Sequence, residues 1–529
     1  MATADTIFYG NVLTMDPAAP RQGGVAVRAG RVLAVGSAAE LHPLAGPSTR
    51  VVHLGGWTLM PGFHDAHLHL TAHGRALEQL DLATSATLED ALARVAERAA
   101  RLAADEWLQG SGFSLHRWGL RSVGPSEADA LERAAGGRPV YLSSQDHHSA
   151  WVSRAALRRA GVSAATGEVA EGVIVRDASG EPTGLLLEKA TRLVADAIPE
   201  PDAATVRRWL AGAAAHLASL GVTTVHHMAY EPAAYFRQLA LSATDPGYPL
   251  RVWACVPHAS IEAAAEIGLA TGLGGDGFRV GGAKFFADGA LGSRTAWMLE
   301  PYAGGTETGM PVDGPEVLAE RVPLAIAAGL TPVTHAIGDA ATRAVVDAYE
   351  ASAEAWRAQG LRPRLEHAQH MHPVDVKRAG ALGLVASMQP VHLTFDVAQI
   401  HDALPGRLER AYPMRSLAQA GAVLAFGSDT PVAPPDVFEG LRAASRRAAP
   451  DGRRLPLSEA VAPDVSLAAY TTGAAYAIGA EGRSGRLRAG FDADLVVLSH
   501  DPTVSLDGLE VVATMKGGAL TYGAERLAG

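Results

Sequence analysis

Eight short apolar runs, several followed by stretches rich in alanine, leucine and arginine, constrain this chain more than any other feature. In order they are TLMPGFHDAHLHL, GVTTVHHMA, LRVWACVPH, FRVGGAKFFAD, LTPVTHAIGD, RPRLEHAQH, LVASMQP and AVLAFGSDTP. A strand followed by a helix, repeated, indicates a parallel sheet, because parallel neighbours need a crossover and a helix supplies it. DAATRAVVDAYEASAEAWRAQG, after the fifth run, reads as such a helix. Eight such units close most economically into an α/β fold of the (β/α)8 TIM-like barrel type.

The two ends of the chain read differently. DTIFYGNVLTMD and GGVAVRAGRVLAVG near the start, and GRLRAGFDADLVVLSHDP and VVATMKGGALTYG near the end, are short strands punctuated by glycine. Chain termini often lie close in space, so residues 1–60 and 480–529 are expected to pair into one composite β-sandwich. The barrel would occupy 61–75 and 216–479. Residues 76–215, after the first run, make a connection far longer than the usual ~2 to 6 residue βα loop. They hold helices (TLEDALARVAERAARLAAD) and strand-like pieces (RPVYLSSQD, GVIVRD) of their own, which predicts an inserted α/β subdomain. Loops after the strands form the mouth of a barrel, so this insertion is a candidate lid or substrate-recognition element.

Composition excludes several classes of function. The 529 residues exceed the ~250 to 300 at which single cores stop growing, which implies more than one domain. A net charge of −11 offers no basic footprint for nucleic acid or an anionic membrane. The single cysteine, Cys255 in RVWACVPHA, rules out a disulfide within the chain and a thiolate metal cluster, and reads as a buried thiol. The start, MATADTIFYGNVLTMDP, has no basic n-region or long apolar core, and no run approaches the ~18 apolar residues of a membrane span. The expectation is a cytoplasmic protein acting on a small-molecule substrate, with a homodimer as a compatible assembly.

Residue chemistry gathers at the ends of the predicted strands. In HDAHLHL, His67 and His69 are spaced i, i+2, which on a strand points both imidazoles to one face. Asp65 shares that face and His64 points the other way. His335 ends the fifth run, His367 the sixth and Asp429 the eighth, where barrel enzymes place their chemistry. Lys284 stands in the fourth run among glycine, alanine and two phenylalanines, where an ammonium is costly unless its pKa drops or it is modified. Each alone has a plainer reading: a hydrogen-bonded core histidine, a helix N-cap at Asp429, a salt-bridged Lys284. Together, His67, His69, Lys284, His335, His367 and Asp429 form a candidate metal-ligand set.

The motifs PGFHDAHLH, KFFADGALGSRTA, THAIGD, EHAQ, SMQP and GSDTPV, with RLRAGFDADLVVL near the end, resemble the amidohydrolase superfamily. The similarity is specifically to its YtcJ-like branch, amidohydrolase family 3, which includes N-substituted formamide deformylases. It spans nearly the whole chain and implies a two-metal centre, usually zinc, with other divalent metals compatible. By that resemblance His67, His69 and Asp429 bind one ion, His335 and His367 bind the second, and Lys284, carboxylated to a carbamate, bridges them. Carboxylation needs a neutral amine, and burial lowers a lysine from its reference pKa of ~10.4. The implied reaction is hydrolysis of an amide or formamide C–N bond by metal-activated hydroxide, with Asp429 as general acid and base. The same layout supports hydrolysis of an ester, lactone or cyclic amidine or urea, or ligand binding without catalysis.

Five further residues are candidate substrate contacts. His148 in QDHHSAW resembles the family's DGHSAW stretch; Trp151, Trp118 and Phe113 could line an apolar pocket or pack the insertion, and Arg294 in GSRTA could hold an anionic group. The chain departs from the family pattern at VHHMA, where His227 replaces a frequent aspartate, at GSGFSLHRW, and at His64.

Overall fold

Each of the eight apolar runs contributes a strand to one parallel sheet in this computed structural model, which describes residues 3–103, 105–144, 149–170, 172–229 and 231–527. The barrel strands are, in order, Phe63–Leu68, Val222–His227, Arg251–Pro257, Phe278–Phe286, Pro332–Ala336, Arg364–His367, Val385–Met388 and Val423–Phe426. Their order in the sheet follows their order in sequence, each hydrogen-bonded in parallel to the next. Backbone bonds just past the eighth strand bring it to the first: Asp429 N–H donates to His67 O at 2.6 Å, and His69 N–H to Thr430 O at 2.9 Å. The barrel therefore closes at the level where the candidate ligands emerge.

The first predicted run divides at Gly62. Arg50–Pro61 belongs to another sheet and Phe63–Leu68 to the barrel. A side chain at Gly62 would meet Thr223 Cγ2 at 2.3 Å, so only glycine lets the chain pass from one sheet to the other this close to the second strand. Arg50–Pro61 lies in a seven-stranded sheet with Thr6–Leu13, Arg21–Arg28 and Arg31–Val35 from the start of the chain and Leu495–Leu498, Val511–Lys516 and Ala519–Tyr522 from its end. Phe8, Val12, Val25, Leu59, Leu495 and Val512 fill its core.

Helices return the chain between barrel strands. Asp339–Ala351 buries Val345, Val346 and Tyr349 against the sheet, roughly 1.5–3 kcal/mol for each large apolar side chain, and Ser352 separates it from the short Ala353–Ala358. Asp436 caps Val437–Arg446 by accepting Phe438 N–H and Glu439 N–H. The N-cap reading of Asp429 is thereby replaced: a different aspartate, seven residues on, caps that helix.

Residues Arg75–Trp209 form a second compact unit. It contains a six-stranded sheet in the order Gly172–Arg176, Pro182–Glu188, Ser149–Val152, Val140–Ser144, Leu108–Phe113 and Leu80–Asp81. Val95, Leu108, Leu131, Leu142 and Leu185 make up part of its core. Among the described residues, no helix is long and apolar enough to cross a membrane. Cys255 is buried, and burial pushes its thiol up to about 11.

Candidate metal centre

Strand alternation and barrel closure bring the proposed ligands together. His67 Nε2 and His69 Nε2 lie 3.5 and 3.2 Å from Asp429 Oδ1. The rings of His67 and His367 are 4.7 Å apart between centroids, and those of His335 and His367 are 4.5 Å apart. Ligand atoms of His67, His367 and Asp429 all fall within 4.8 Å of one another, a group able to hold a metal ion. His367 and Asp429 both have left-handed backbones, φ 71° and 62°. Non-glycine residues adopt that conformation at a cost, and surrounding structure must enforce it. Gly427 contributes to that enforcement, since a side chain there would meet His67 N at 2.5 Å and Asp65 Oδ1 at 2.7 Å.

Each of the four histidines has one nitrogen occupied by an acceptor oxygen. His67 Nδ1 donates to Glu366 Oε2 at 2.6 Å, and His69 Nδ1 to the Met228 carbonyl at 3.1 Å. His335 Nε2 donates to the Gly289 carbonyl at 3.0 Å, and His367 Nδ1 to Gln389 Oε1 at 2.7 Å. Such acceptors orient metal-binding imidazoles and set their tautomer. Burial lowers the pKa of His67 to about 4 and of His335 to about 3, so both rings are neutral and their lone pairs can bind a cation.

Lys284 is buried, and its Nζ has no protein hydrogen-bond partner. Burial lowers its pKa, while Glu366 and Asp429 oppose that shift. The Phe286 ring lies 4.8 Å from the amine. Burial also opposes ionisation of Asp429, but the imidazoles of His67, His69 and His367 hold its carboxyl well below the usual range. Imidazoles, one carboxylate and a buried amine with no protein hydrogen-bond partner are a donor set able to hold a divalent metal ion.

The sequence did not reveal Arg364 or Asp288 as supports of this set, and it placed Asp65 on the same face without its role. Arg364 is fully buried and spans four strands: its guanidinium donates to Glu366 Oε1 at 2.8 Å, His226 Nδ1 at 3.0 Å, Ser387 Oγ at 3.1 Å and the Ala66 carbonyl at 2.6 Å. Two charged residues at i, i+2 in the apolar run RLEH were the available signal, since they must share the barrel's inner face. Asp288 accepts Trp297 N–H, Ile337 N–H and Gly338 N–H at 2.8, 3.0 and 2.8 Å, and lies 3.5 Å from His335 Nε2. Asp65 accepts Ser428 Oγ–H at 2.5 Å, Ser428 N–H at 3.0 Å and His67 N–H at 3.2 Å, so it ties the eighth strand to the first.

The remaining residues are placed as follows. His64 faces away from the centre and pairs with Ser484 Oγ at 2.9 Å. His227 Nδ1 accepts Leu70 N–H at 3.1 Å, a backbone anchor that an aspartate could also supply. Arg294 is exposed, with its guanidinium 6.0 Å from the Tyr302 ring. Phe113 and Trp151 are buried in the core of the second unit with Trp118 packed against them, and Trp118 Nε1 donates to the Ser85 carbonyl at 3.2 Å. His148 lies outside the described residues.

A barrel of this form with this site is that of a metal-dependent hydrolase. An uncharacterized metal-dependent hydrolase from Pyrococcus horikoshii OT3 superposes on it with a TM-score of 0.79 and 25% identity, covering 95% of this chain and 99% of that one. The amidohydrolase family model matches residues 50–522, and the chain belongs to that family. It is 32% identical to the putative amidohydrolase YtcJ of Bacillus subtilis, covering 98% of this chain and 99% of the relative. With the N-substituted formamide deformylase of Arthrobacter pascens it shares 28% identity over 98% of both chains.

Proposed function

We propose that this amidohydrolase cleaves a C–N bond of amide or formamide type in a small molecule. The observation that carries the reading is the convergence of His67, His367 and Asp429 within 4.8 Å, beside the buried amine of Lys284. His67, His69 and Asp429 would hold one divalent ion, expected to be zinc. His335 and His367 would hold a second, with carboxylated Lys284 between the two. Ions bound there supply Lewis acidity toward a water and toward the substrate carbonyl.

The protein's own contribution is proton transfer and orientation. Asp429, ionised and next to the reacting atoms, takes a proton as water attacks the carbonyl carbon. It returns that proton to the nitrogen as the C–N bond breaks, since an amine leaves poorly unless protonated. Acid and amine are released with Asp429 restored. Glu366, Gln389 and the Gly289 and Met228 carbonyls keep the imidazoles from rotating, so little reorganisation is needed during the reaction. Similarity to an N-substituted formamide deformylase supports the bond type.

The test is metal content together with a panel of formamides, amides, esters and cyclic ureas assayed side by side. Turnover of C–N substrates with about two zinc ions per chain is expected. Turnover confined to esters refutes the bond assignment, and full activity in a metal-free preparation refutes the site.

A further inference from the structure

Asp429 belongs to no helix or strand: the eighth barrel strand ends at Phe426 and the next helix starts at Val437. Its left-handed backbone, φ 62°, has to be enforced from outside. Its own N–H is bonded to His67 O, and the residues on either side of it are held as well. Ser428 is fixed by Asp65. Thr430 donates its N–H to Ser428 Oγ at 3.1 Å and accepts His69 N–H at its carbonyl.

The Thr430 side chain reaches further. Its hydroxyl oxygen lies 2.9 Å from His73 Nδ1, and the opposite nitrogen of that ring, Nε2, lies 2.9 Å from His216 Nδ1. The two rings are tilted by only 24°, with centroids 5.1 Å apart. Thr430 and His73 are buried, whereas His216, in the helix Ala203–Ser219, is half-buried. His73 stands in the helix Leu70–Glu78, one turn past His69, whose carbonyl accepts its N–H at 2.8 Å. One short stretch of chain therefore supplies two candidate ligands and an anchor for the segment that carries a third.

Burial, with His216 beside it, lowers the His73 pKa to about 4, so the ring is neutral. A neutral imidazole has one donor and one acceptor nitrogen. His73 completes both bonds only by donating to one neighbour and accepting from the other. Thr430, His73 and His216 thus form one directed chain, in which the bond at the hydroxyl depends on the bond at His216.

We infer that His73, with His216 behind it, is a positioning residue for Asp429. By holding the Thr430 hydroxyl it fixes the turn that aims the carboxylate, and a reacting group misplaced by ~1 Å loses about a hundredfold in rate. The inference rests on the proton-transfer role proposed for Asp429, and His73 acts through Thr430.

The test uses the full chain. Thr430→Val removes the hydroxyl and keeps the shape. In a crystal structure of the metal-free variant, the Asp429 carboxylate should move by about 1 Å relative to His69 Nε2. In the metal-replete variant, kcat for N-butylformamide should fall roughly 10- to 100-fold while KM stays within about twofold. His73→Phe should match that loss, and the double variant should lose no more than either single one, because the chain acts as a unit. His73→Asn places an amide where Nδ1 stood and should recover most of the rate. An Asp429 carboxylate that stays in place in Thr430→Val overturns the inference, and this variant decides alone if His73→Phe does not fold. Losses that add, or a fall in kcat that only follows metal content, overturn it too. Asp429→Asn tests the underlying reading separately: full activity there refutes proton transfer by Asp429, whereas an unmoved carboxylate in Thr430→Val refutes only the role of His73.

Discussion

His67 Nδ1 donates to Glu366 Oε2 at 2.6 Å where neither side chain is exposed, and the other oxygen of Glu366 accepts Arg364 Nε at 2.8 Å. Burial alone would raise the Glu366 pKa, but Arg364 and His67 outweigh it and keep the carboxyl well below its usual range. The anion in turn fixes the tautomer of His67 that presents Nε2 toward Asp429. Glu366→Gln keeps the shape and removes the charge. Metal affinity, measured by competition with a chromophoric chelator, should fall about 10- to 100-fold while the fold is retained.

Arg364→Met leaves Glu366 buried without its counter-ion. Breaking such a pair costs about 3–5 kcal/mol, a loss that denaturant unfolding should register directly. Arg364→Met combined with Glu366→Leu removes both charges and should recover part of that loss. A double variant no more stable than the single one would mean that Arg364 acts through Ser387, His226 and Ala66 instead.

Lys284→Ala should abolish turnover and lower zinc content by about one ion per chain, read by elemental analysis. Lys284→Arg should also be inactive, because a guanidinium stays protonated and cannot form a carbamate. Retained activity in either variant would remove Lys284 from the centre.

Ser428→Ala removes the hydroxyl that donates to Asp65 at the seam between the first and eighth strands. A charged acceptor makes this a strong bond, worth about 1.5–3 kcal/mol. The variant should lose stability by that amount in equilibrium unfolding. Metal affinity should fall as well, because the seam positions both His67 and Asp429.

Acid should destabilise the metal-free chain well above the carboxylate range. Burial holds His64, His73, His227 and His370 at about 4, so unfolding lets each bind a proton below its ordinary value of 6.5. Stability from these groups is full above pH ~6.5 and is lost as pH falls toward ~4. Asp65 and Asp288, raised by burial to about 6 and 7, act in the opposite sense and offset part of the loss. Each net proton contributes about 1.4 kcal/mol per pH unit. Melting temperatures measured from pH 8 to 4 should therefore decline steadily below pH ~6.5, and a flat profile down to pH 5 would contradict the neutral buried histidines.

Much of the architecture was legible because its signals are local. Strand and helix periodicity marked all eight barrel strands, and the parallel sheet followed from their alternation with helices. The two-residue spacing of His67 and His69 placed both rings on one face, and the same alternation turned His64 away, toward Ser484. Boundaries were less legible. TLMPGFHDAHLHL reads as one apolar run, yet it is cut at Gly62 because Thr223, distant in sequence, leaves no room for a side chain there.

Residue types and their order along the chain were enough to determine the eight strands, the inward-facing histidine pair and the family. Tertiary structure decided what those residues do to one another. No spacing rule pairs His67 with Glu366, separated by 299 positions, or ties Asp65 to Ser428, separated by 363. Such contacts exist only once the sheet has closed, and closure is a property of the whole barrel. The same holds for the left-handed backbones of His367 and Asp429, which no local preference favours and which packing around the centre must impose.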